Sequence, residues 1–93
     1  MLTDTAKNDL RNIKDYITQS SNKAVAQGFI KELSNKLKTL SDNSVQGSPR
    51  DWVSVGLRVF VYKERCFYFR IIDNKMIVLR ILNVKQDVTA QIF

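Results

Sequence analysis

The side chains in this sequence with the strongest capacity for chemistry are arginines and a tyrosine in its second half. Arg58, Tyr68, Arg70 and Arg80 lie within three neighbouring apolar stretches. A guanidinium group keeps its positive charge and binds carboxylates or phosphates through paired hydrogen bonds. Aromatic side chains beside it could stack on bases or pack against a peptide. These residue types predict a site for an anionic partner, although an ordinary solvated sheet could carry the same arginines.

Several classes of catalytic and metal site are excluded by the residues that the sequence lacks. It contains no histidine and a single cysteine, Cys66. Without histidine there is no Ser-His or Cys-His nucleophile pair, and the commonest metal ligand is missing. One cysteine rules out an internal disulfide and fits a reducing compartment. We therefore expect no metal and no cofactor, and any catalysis would need lysine, arginine, tyrosine or a carboxylate.

The length and the net charge of the chain narrow the possible functions further. We expect residues 1–93 to form one domain, which carries 15 basic and 9 acidic side chains for a net charge of +6. This surplus favours an anionic partner, either nucleic acid or an acidic protein segment, although a plain solvated surface could also carry it. No apolar run is long enough to cross a membrane, and the N-terminus lacks the pattern of a secretory signal. The sequence predicts a cytoplasmic protein with no membrane partner.

Strands between residues 56 and 83 would position the arginines. The odd positions of the apolar stretches are all apolar: Leu57, Val59, Val61, Phe67, Phe69, Ile71, Ile77, Leu79 and Ile81. Alternation with a period of two, rich in β-branched and aromatic residues, is typical of strands with one buried face. The pattern predicts a three-stranded antiparallel sheet with loops at residues 63–65 and 73–75.

The length of these loops decides which residues share a face. With three residues in each loop, Tyr62 pairs with Cys66 and Ile72 pairs with Met76, and all odd positions fall on one side. The even positions then form a second face that carries the arginines among aromatic residues. We expect this second face to meet the partner, because exposed apolar patches with charged neighbours usually bind something.

Two amphipathic helices precede the sheet. Apolar residues recur at helical spacing over residues 4–19 and 23–40, and the short link between them predicts an antiparallel helical hairpin. Neither helix can bury its stripe alone, so the hairpin should pack on the apolar face of the sheet. The predicted fold class is α+β. Residues 41–51 read as a connector, and Trp52 is expected to anchor its end against the core.

The order of several short motifs resembles the ParE branch of the RelE/ParE toxin superfamily. The first helix carries the run A-x-x-D-L-x-x-I-x-x-Y-I, formed by Ala6, Asp9, Leu10, Ile13, Tyr16 and Ile17. Further matches follow in the family's order at Gly47 and at residues 56–58, 68–70, 79–82 and 87–88. The resemblance extends over nearly the whole chain and is carried by the combination of these motifs.

This resemblance implies a toxin of a type II toxin–antitoxin system with a RelE/ParE-like fold. ParE-type proteins bind and inhibit DNA gyrase without catalysing a reaction, and they act in plasmid stabilisation. A cognate antitoxin neutralises them by wrapping an acidic, partly disordered segment around them. The implied partners are an acidic antitoxin and gyrase, with no sequence-specific nucleic-acid binding by the toxin alone. Relatives usually begin with a strand, which in residues 1–3 would be very short or absent.

The resemblance leaves a second activity open, that of RelE-type toxins, which cleave messenger RNA on the ribosome. RelE-type proteins use lysines, arginines and an aromatic residue near the C-terminus. At matching positions this chain has Cys66 in place of an arginine and Lys85 followed by Gln86, and the C-terminal tyrosine is missing. A general base must be able to accept a proton, which disfavours the nuclease. Lys63, Arg65 and Lys85 keep the nuclease as an alternative. A weak or inactive family member is a further alternative.

The predicted partner face combines even positions of the sheet with residues that follow it. Its members are Arg58, Phe60, Tyr68, Arg70, Arg80, Asn83, Lys85 and Asp87. Asn83 stands where relatives often have histidine. Because Arg80 should face away from the core, Arg80→Ala is expected to weaken function more than folding. A plain nucleic-acid-binding module is an alternative of another class, but acidic residues interrupt the basic ones on both helices.

Overall fold

The computed structural model describes residues 1–42 and 47–86. In these residues two helices come first, α1 (Asp4–Ser20) and α2 (Lys23–Asp42). The strands that follow are β1 (Ser48–Pro49), β2 (Arg58–Tyr62), β3 (Arg65–Ile72) and β4 (Lys75–Asn83). Helices followed by an antiparallel sheet confirm the predicted α+β class. The chain divides into two compact units, Met1–Asp9 with Gln46–Phe93 and, separately, Leu10–Val45.

Both helices begin where their sequence patterns predict. Thr3 caps α1, because its Oγ1 accepts a hydrogen bond from the backbone N–H of Ala6 at 3.1 Å. Asn22 caps α2 in the same way, through Oδ1 and the N–H of Val25 at 2.9 Å. Such caps satisfy backbone donors that no carbonyl of the helix can reach. The buried side chains of the helices all lie at the apolar positions with the predicted helical spacing: Ala6, Ile13, Ala26, Leu33 and Leu40. No helix in the described residues has the length and apolarity needed to span a membrane.

The sheet has the order β1-β2-β3-β4, and neighbouring strands are antiparallel. The short N-terminal strand that the resemblance implies is present only as a single parallel bridge between Leu2 and Val78. Two backbone hydrogen bonds hold it, from Thr3 N to Val78 O at 3.0 Å and from Val78 N to Met1 O at 2.8 Å. The fourth strand is instead β1, which lies in the segment predicted to be a connector.

Both β-hairpins have turns one residue shorter than predicted. Tyr62 pairs with Arg65, and Ile72 pairs with Lys75, so each turn has two residues. The turn residues all have positive φ: Lys63 (47°), Glu64 (64°), Asp73 (51°) and Asn74 (62°). Two consecutive positive φ values are the mark of a type I′ turn, whose twist matches that of the strands. The prediction of three-residue loops is therefore wrong.

Shorter turns mix odd and even positions on each face of the sheet. Val59 lies opposite Tyr68 and Phe60 lies opposite Phe67, and cross-strand partners project from the same side. On one face Leu57, Val59, Tyr68 and Leu82 form an apolar cluster, against which Val53, Cys66 and Leu79 pack. On the other face the ring of Phe60 stacks on that of Phe67, with centroids 4.7 Å apart. The predicted division into an apolar odd face and a polar even face is wrong.

A bulge in β4 ties the N-terminal segment to the sheet. The pairing of β3 with β4 shifts between Tyr68 and Phe69, which leaves Leu79 as an extra residue on β4. A bulge frees backbone groups from the ladder, and these groups need other partners. Here the carbonyl of the bulged Leu79 accepts a hydrogen bond from Thr3 Oγ1 at 3.0 Å. Two residues further on, the N–H of Ile81 donates to the Asp9 carboxylate at 3.0 Å.

Candidate functional site

Arg80 forms an ion pair rather than facing a partner. Its Nε donates to Asp9 Oδ2 at 2.8 Å, and its Nη2 donates to Asp9 Oδ1 at 3.1 Å. The two side chains are 23% and 11% exposed, so water screens this pair only partly. With the bond from Ile81, the carboxylate receives three donors from β4. Arg80 therefore has a structural role, because the ion pair links Met1–Asp9 to the sheet, and its place on the partner face stays a prediction.

Arg70 supports the loop before β2, which we name the Trp52 loop (residues 50–56). Its guanidinium donates to the carbonyl of Val55 and to the hydroxyl of Ser54. Both acceptors are neutral. Because its side chain forms no ion pair within residues 1–42 and 47–86, the positive charge of Arg70 has no carboxylate partner there.

Arg58 holds the short edge strand. It lies opposite Pro49 of β1, and its Nη2 donates to the carbonyl of Gly47 at 3.2 Å. Gly47 adopts a φ of +63°, and a Cβ placed there would come within 2.6 Å of the Val59 carbonyl oxygen. Only glycine fits that position without displacing backbone. Arg58 therefore helps to fix a close approach between β1 and β2.

The two aromatic members of the predicted face, Phe60 and Tyr68, are also structural. Phe60 lies 5.9 Å from Phe69, centroid to centroid, in addition to its stacking on Phe67. Tyr68 is buried in the cluster on the opposite face of the sheet. Burial raises the pKa of the Tyr68 hydroxyl, and the neighbouring Cys66 raises it further. A tyrosine with a raised pKa stays protonated at neutral pH and is a poor general base.

The C-terminal members of the predicted face form a turn after β4. Lys85 N donates to Asn83 Oδ1 at 2.9 Å, and Asn83 N donates to Gln86 Oε1 at 2.8 Å. Asn83 therefore fixes this turn through its amide, a role that needs no titratable group. Lys85 is exposed. Asp87 lies outside the described residues.

The structure does not bring the predicted arginines together in one cluster. Arg58 shares a face with its partner Phe69, whereas Arg70, the next residue along β3, projects from the opposite face. Each arginine instead contacts a different segment: Gly47 for Arg58, the Trp52 loop for Arg70 and Asp9 for Arg80. Within the described residues, no group of cysteine and carboxylate side chains could hold a metal ion.

Sequence reasoning missed the large apolar side chains that are exposed. Trp52 is 69% exposed and Val55 is 84% exposed, both in the Trp52 loop, and Val61 of β2 is 60% exposed. The prediction that Trp52 packs against the core is wrong, because Val53 is the residue of this loop that reaches the buried cluster. No sequence pattern marks these residues as exposed, because Trp52 and Val55 have the spacing of a helix face, and Val53, Val55 and Leu57 alternate as in a strand.

Comparison with known proteins identifies the family to which this chain belongs. The family model described as the ParE toxin of the type II toxin–antitoxin system parDE matches residues 1–88. A solved structure described as the chromosomal ParDE TA system from P. aeruginosa is similar in fold, with a TM-score of 0.75 and 22% sequence identity. The similarity covers 88% of this chain and 90% of that chain. No curated protein is a match.

Proposed function

Because this chain belongs to the ParE toxins of type II toxin–antitoxin systems, we propose that it binds DNA gyrase and inhibits it. We propose also that a cognate antitoxin neutralises it by binding. The observation that carries the proposal is the length of the family match, which takes in residues 1–88 and so includes every described strand and helix. Gyrase works on DNA in the cytoplasm, which is therefore the compartment in which the toxin would act.

The contacts of the candidate catalytic groups favour binding over catalysis. Tyr68 is buried with a raised pKa, and Arg80 is bound to Asp9. Neither group is placed to exchange a proton with a bound ribose or to meet a developing negative charge. A messenger-RNA nuclease would have to rely on Lys63, Arg65 or Lys85. The contacts of Tyr68 and Arg80 therefore support an inhibitor that binds its target without cleaving a bond.

The contact surface that we propose differs from the predicted partner face. Arg58, Phe60, Tyr68, Arg70 and Arg80 would act by positioning backbone segments, since each is engaged inside the molecule. Lys85, exposed on the turn that Asn83 closes, would touch a partner directly. Asp87 stays a prediction, because it lies outside the described residues.

A supercoiling assay tests the proposal. The purified chain, added at micromolar concentration to gyrase and relaxed plasmid, is expected to block supercoiling, and prior mixing with the cognate antitoxin should restore it. Lys85→Glu should weaken the inhibition about tenfold by reversing a charge at the contact. The matched control is Lys75→Glu, which makes the same change at an exposed residue of the β3–β4 hairpin. Unimpaired supercoiling together with cleavage of ribosome-bound message would contradict gyrase inhibition and favour the nuclease.

A further inference from the structure

The Trp52 loop presents two large apolar side chains to solvent from a fixed backbone. Trp52 and Val55 are among the most exposed large apolar residues in the described part of the chain. Exposure of a single such residue is ordinary, but Trp is the side chain most enriched among residues that dominate binding energy at interfaces. Its neighbour three positions later widens the apolar area.

Hydrogen bonds hold this loop at its two ends. Arg50 N donates to Leu57 O at 2.8 Å, and Leu57 N donates to Ser54 O at 2.9 Å. Gly56 N donates to Asp51 Oδ1 at 2.8 Å, and Gly56 has the positive φ of +82° that the bend requires. Arg70 adds two further bonds from β3, to Ser54 and Val55. A loop fixed in this way loses little conformational entropy when a partner binds.

The charges around the loop favour an acidic partner. Arg50 donates to the carbonyl of Pro49 at 2.8 Å, and Arg70 donates to the loop itself, so both positive charges face neutral acceptors among the described residues. One carboxylate, that of Asp51, belongs to the loop, and its Oδ1 accepts the Gly56 N–H. The chain as a whole carries a net charge of +6. A second copy of this chain would therefore meet like charge, whereas an acidic segment would be attracted.

We propose that the Trp52 loop is a docking surface for an acidic peptide segment that carries a large apolar side chain. The apolar side chain packs on Trp52 and Val55, and flanking carboxylates lie in the field of Arg50 and Arg70. A peptide fits better than nucleic acid, because Val55, one of the two exposed side chains, is aliphatic and offers no aromatic face for a base. The inference rests on the proposed function for the kind of partner, because a cognate antitoxin would supply such an acidic segment, and it adds the loop on which the segment docks. This surface is separate from Lys85 and the turn after β4.

The chain carries its own reporter for this surface. Trp52 is its only tryptophan, so intrinsic fluorescence reads the environment of the proposed contact. The probe is a soluble synthetic peptide with glutamates on both sides of a Phe-Leu pair, and its affinity is measured independently through a label on the peptide. Binding should move the Trp52 emission to shorter wavelength, and replacing either the glutamates by glutamine or the Phe-Leu pair by alanines should weaken binding about tenfold.

Variants of the protein complete the test. Trp52→Ala should weaken binding of the labelled peptide by about tenfold or more, and Val55→Asn by a smaller factor. Val61→Thr is the matched control, since Val61 is also an exposed valine but lies in β2 outside the loop, and it should bind as the parent does. Circular dichroism and thermal unfolding confirm that each variant is folded.

Four results would overturn the proposal. Equal binding by the parent and Trp52→Ala would remove the loop from the contact, and equal binding of the glutamine peptide would remove the acidic requirement. A shift of Trp52 emission with a single-stranded oligonucleotide but not with the peptide would assign the loop to nucleic acid. A shift that depends on protein concentration alone would assign it to self-association. None of these measurements uses gyrase, so failure of this proposal can be distinguished from failure of the supercoiling assay.

Discussion

The two sides of the sheet are held by different kinds of contact. On the β4 side, the carboxylate of Asp9 receives Arg80 and the N–H of Ile81, which makes a charged link to the N-terminal segment. On the β2 side, Arg58 and Arg70 donate to neutral carbonyl and hydroxyl oxygens of the chain before β2. One arginine is therefore part of a neutralised pair, whereas Arg70 keeps its charge beside an exposed loop.

This difference separates two uses of the same side chain. An arginine paired with a poorly exposed carboxylate is a structural element, and its removal leaves an uncompensated charge. An arginine that donates to neutral groups positions backbone and still contributes its charge to the field around it. Variants on each side should therefore fail in different ways, and the predictions that follow begin with the largest expected effect.

The β2 side should be most sensitive to sterics at Gly47. Gly47→Ala would place a Cβ 2.6 Å from the Val59 carbonyl oxygen at a φ of +63°, so backbone must shift. We expect the free energy of unfolding to fall by about 3 kcal/mol, as measured by urea denaturation. Gly28→Ala is the matched control, because that Cβ meets nothing within 4 Å and should stabilise α2 by about 1 kcal/mol. Equal effects at the two glycines would contradict the close approach.

The β4 side should be most sensitive to loss of charge. Arg80→Ala leaves the Asp9 carboxylate, 11% exposed, without its ion pair, and should lower the free energy of unfolding by about 2 kcal/mol. Asp9→Asn combined with Arg80→Gln should cost less than the sum of the single changes, because no unpaired charge remains. Arg65→Ala on β3, whose side chain makes no ion pair within the described residues, is the control. Strict additivity would argue against the pair.

Removal of the neutral contacts should have a smaller effect on stability. Arg70→Gln deletes the bonds to Ser54 and Val55 and should lower the free energy of unfolding by about 1 kcal/mol. Hydrogen exchange should rise in residues 50–56 and not in β4, which distinguishes local loosening from general instability. Arg65→Gln makes the same charge change on the same strand and should leave the loop protected. Uniform loss of protection would show that Arg70 supports the whole sheet instead.

The smallest expected effect concerns the buried Tyr68 between the two sides. Burial and Cys66 raise the pKa of Tyr68, so the folded state favours the protonated hydroxyl. Its contribution to stability is complete below the ordinary tyrosine pKa of about 10 and is lost as pH rises through the folded value. Tyr68→Phe should flatten the alkaline fall in stability, measured by urea denaturation at several pH values. Tyr16→Phe, at an exposed site, should leave the fall almost unchanged.

Local sequence patterns predicted the parts of the fold that depend on near neighbours. The helices were predictable because apolar spacing and the caps Thr3 and Asn22 act within a few residues. The turns were not, since Lys63-Glu64 and Asp73-Asn74 lack the glycine that usually marks a type I′ turn. A one-residue difference in turn length moves every side chain of a strand to the other face. That register moves Arg58 and Phe60 to the face opposite Tyr68, Arg70 and Arg80, which still share one side of the sheet. Whether these residues meet a partner stays a prediction.

The sequence by itself determined the order of the two helices and of β2, β3 and β4, the absence of histidine chemistry and the family. These properties depend on composition and on patterns within short segments, which no tertiary contact can alter. Only the tertiary structure decided that Arg80 is paired with Asp9 and that Trp52 is exposed. Arg80 and Asp9 are 71 positions apart, so no local pattern links them. Val53 packs against the buried apolar cluster, whereas its neighbour Trp52 is exposed to solvent. Which of two adjacent apolar residues is buried depends on tertiary packing.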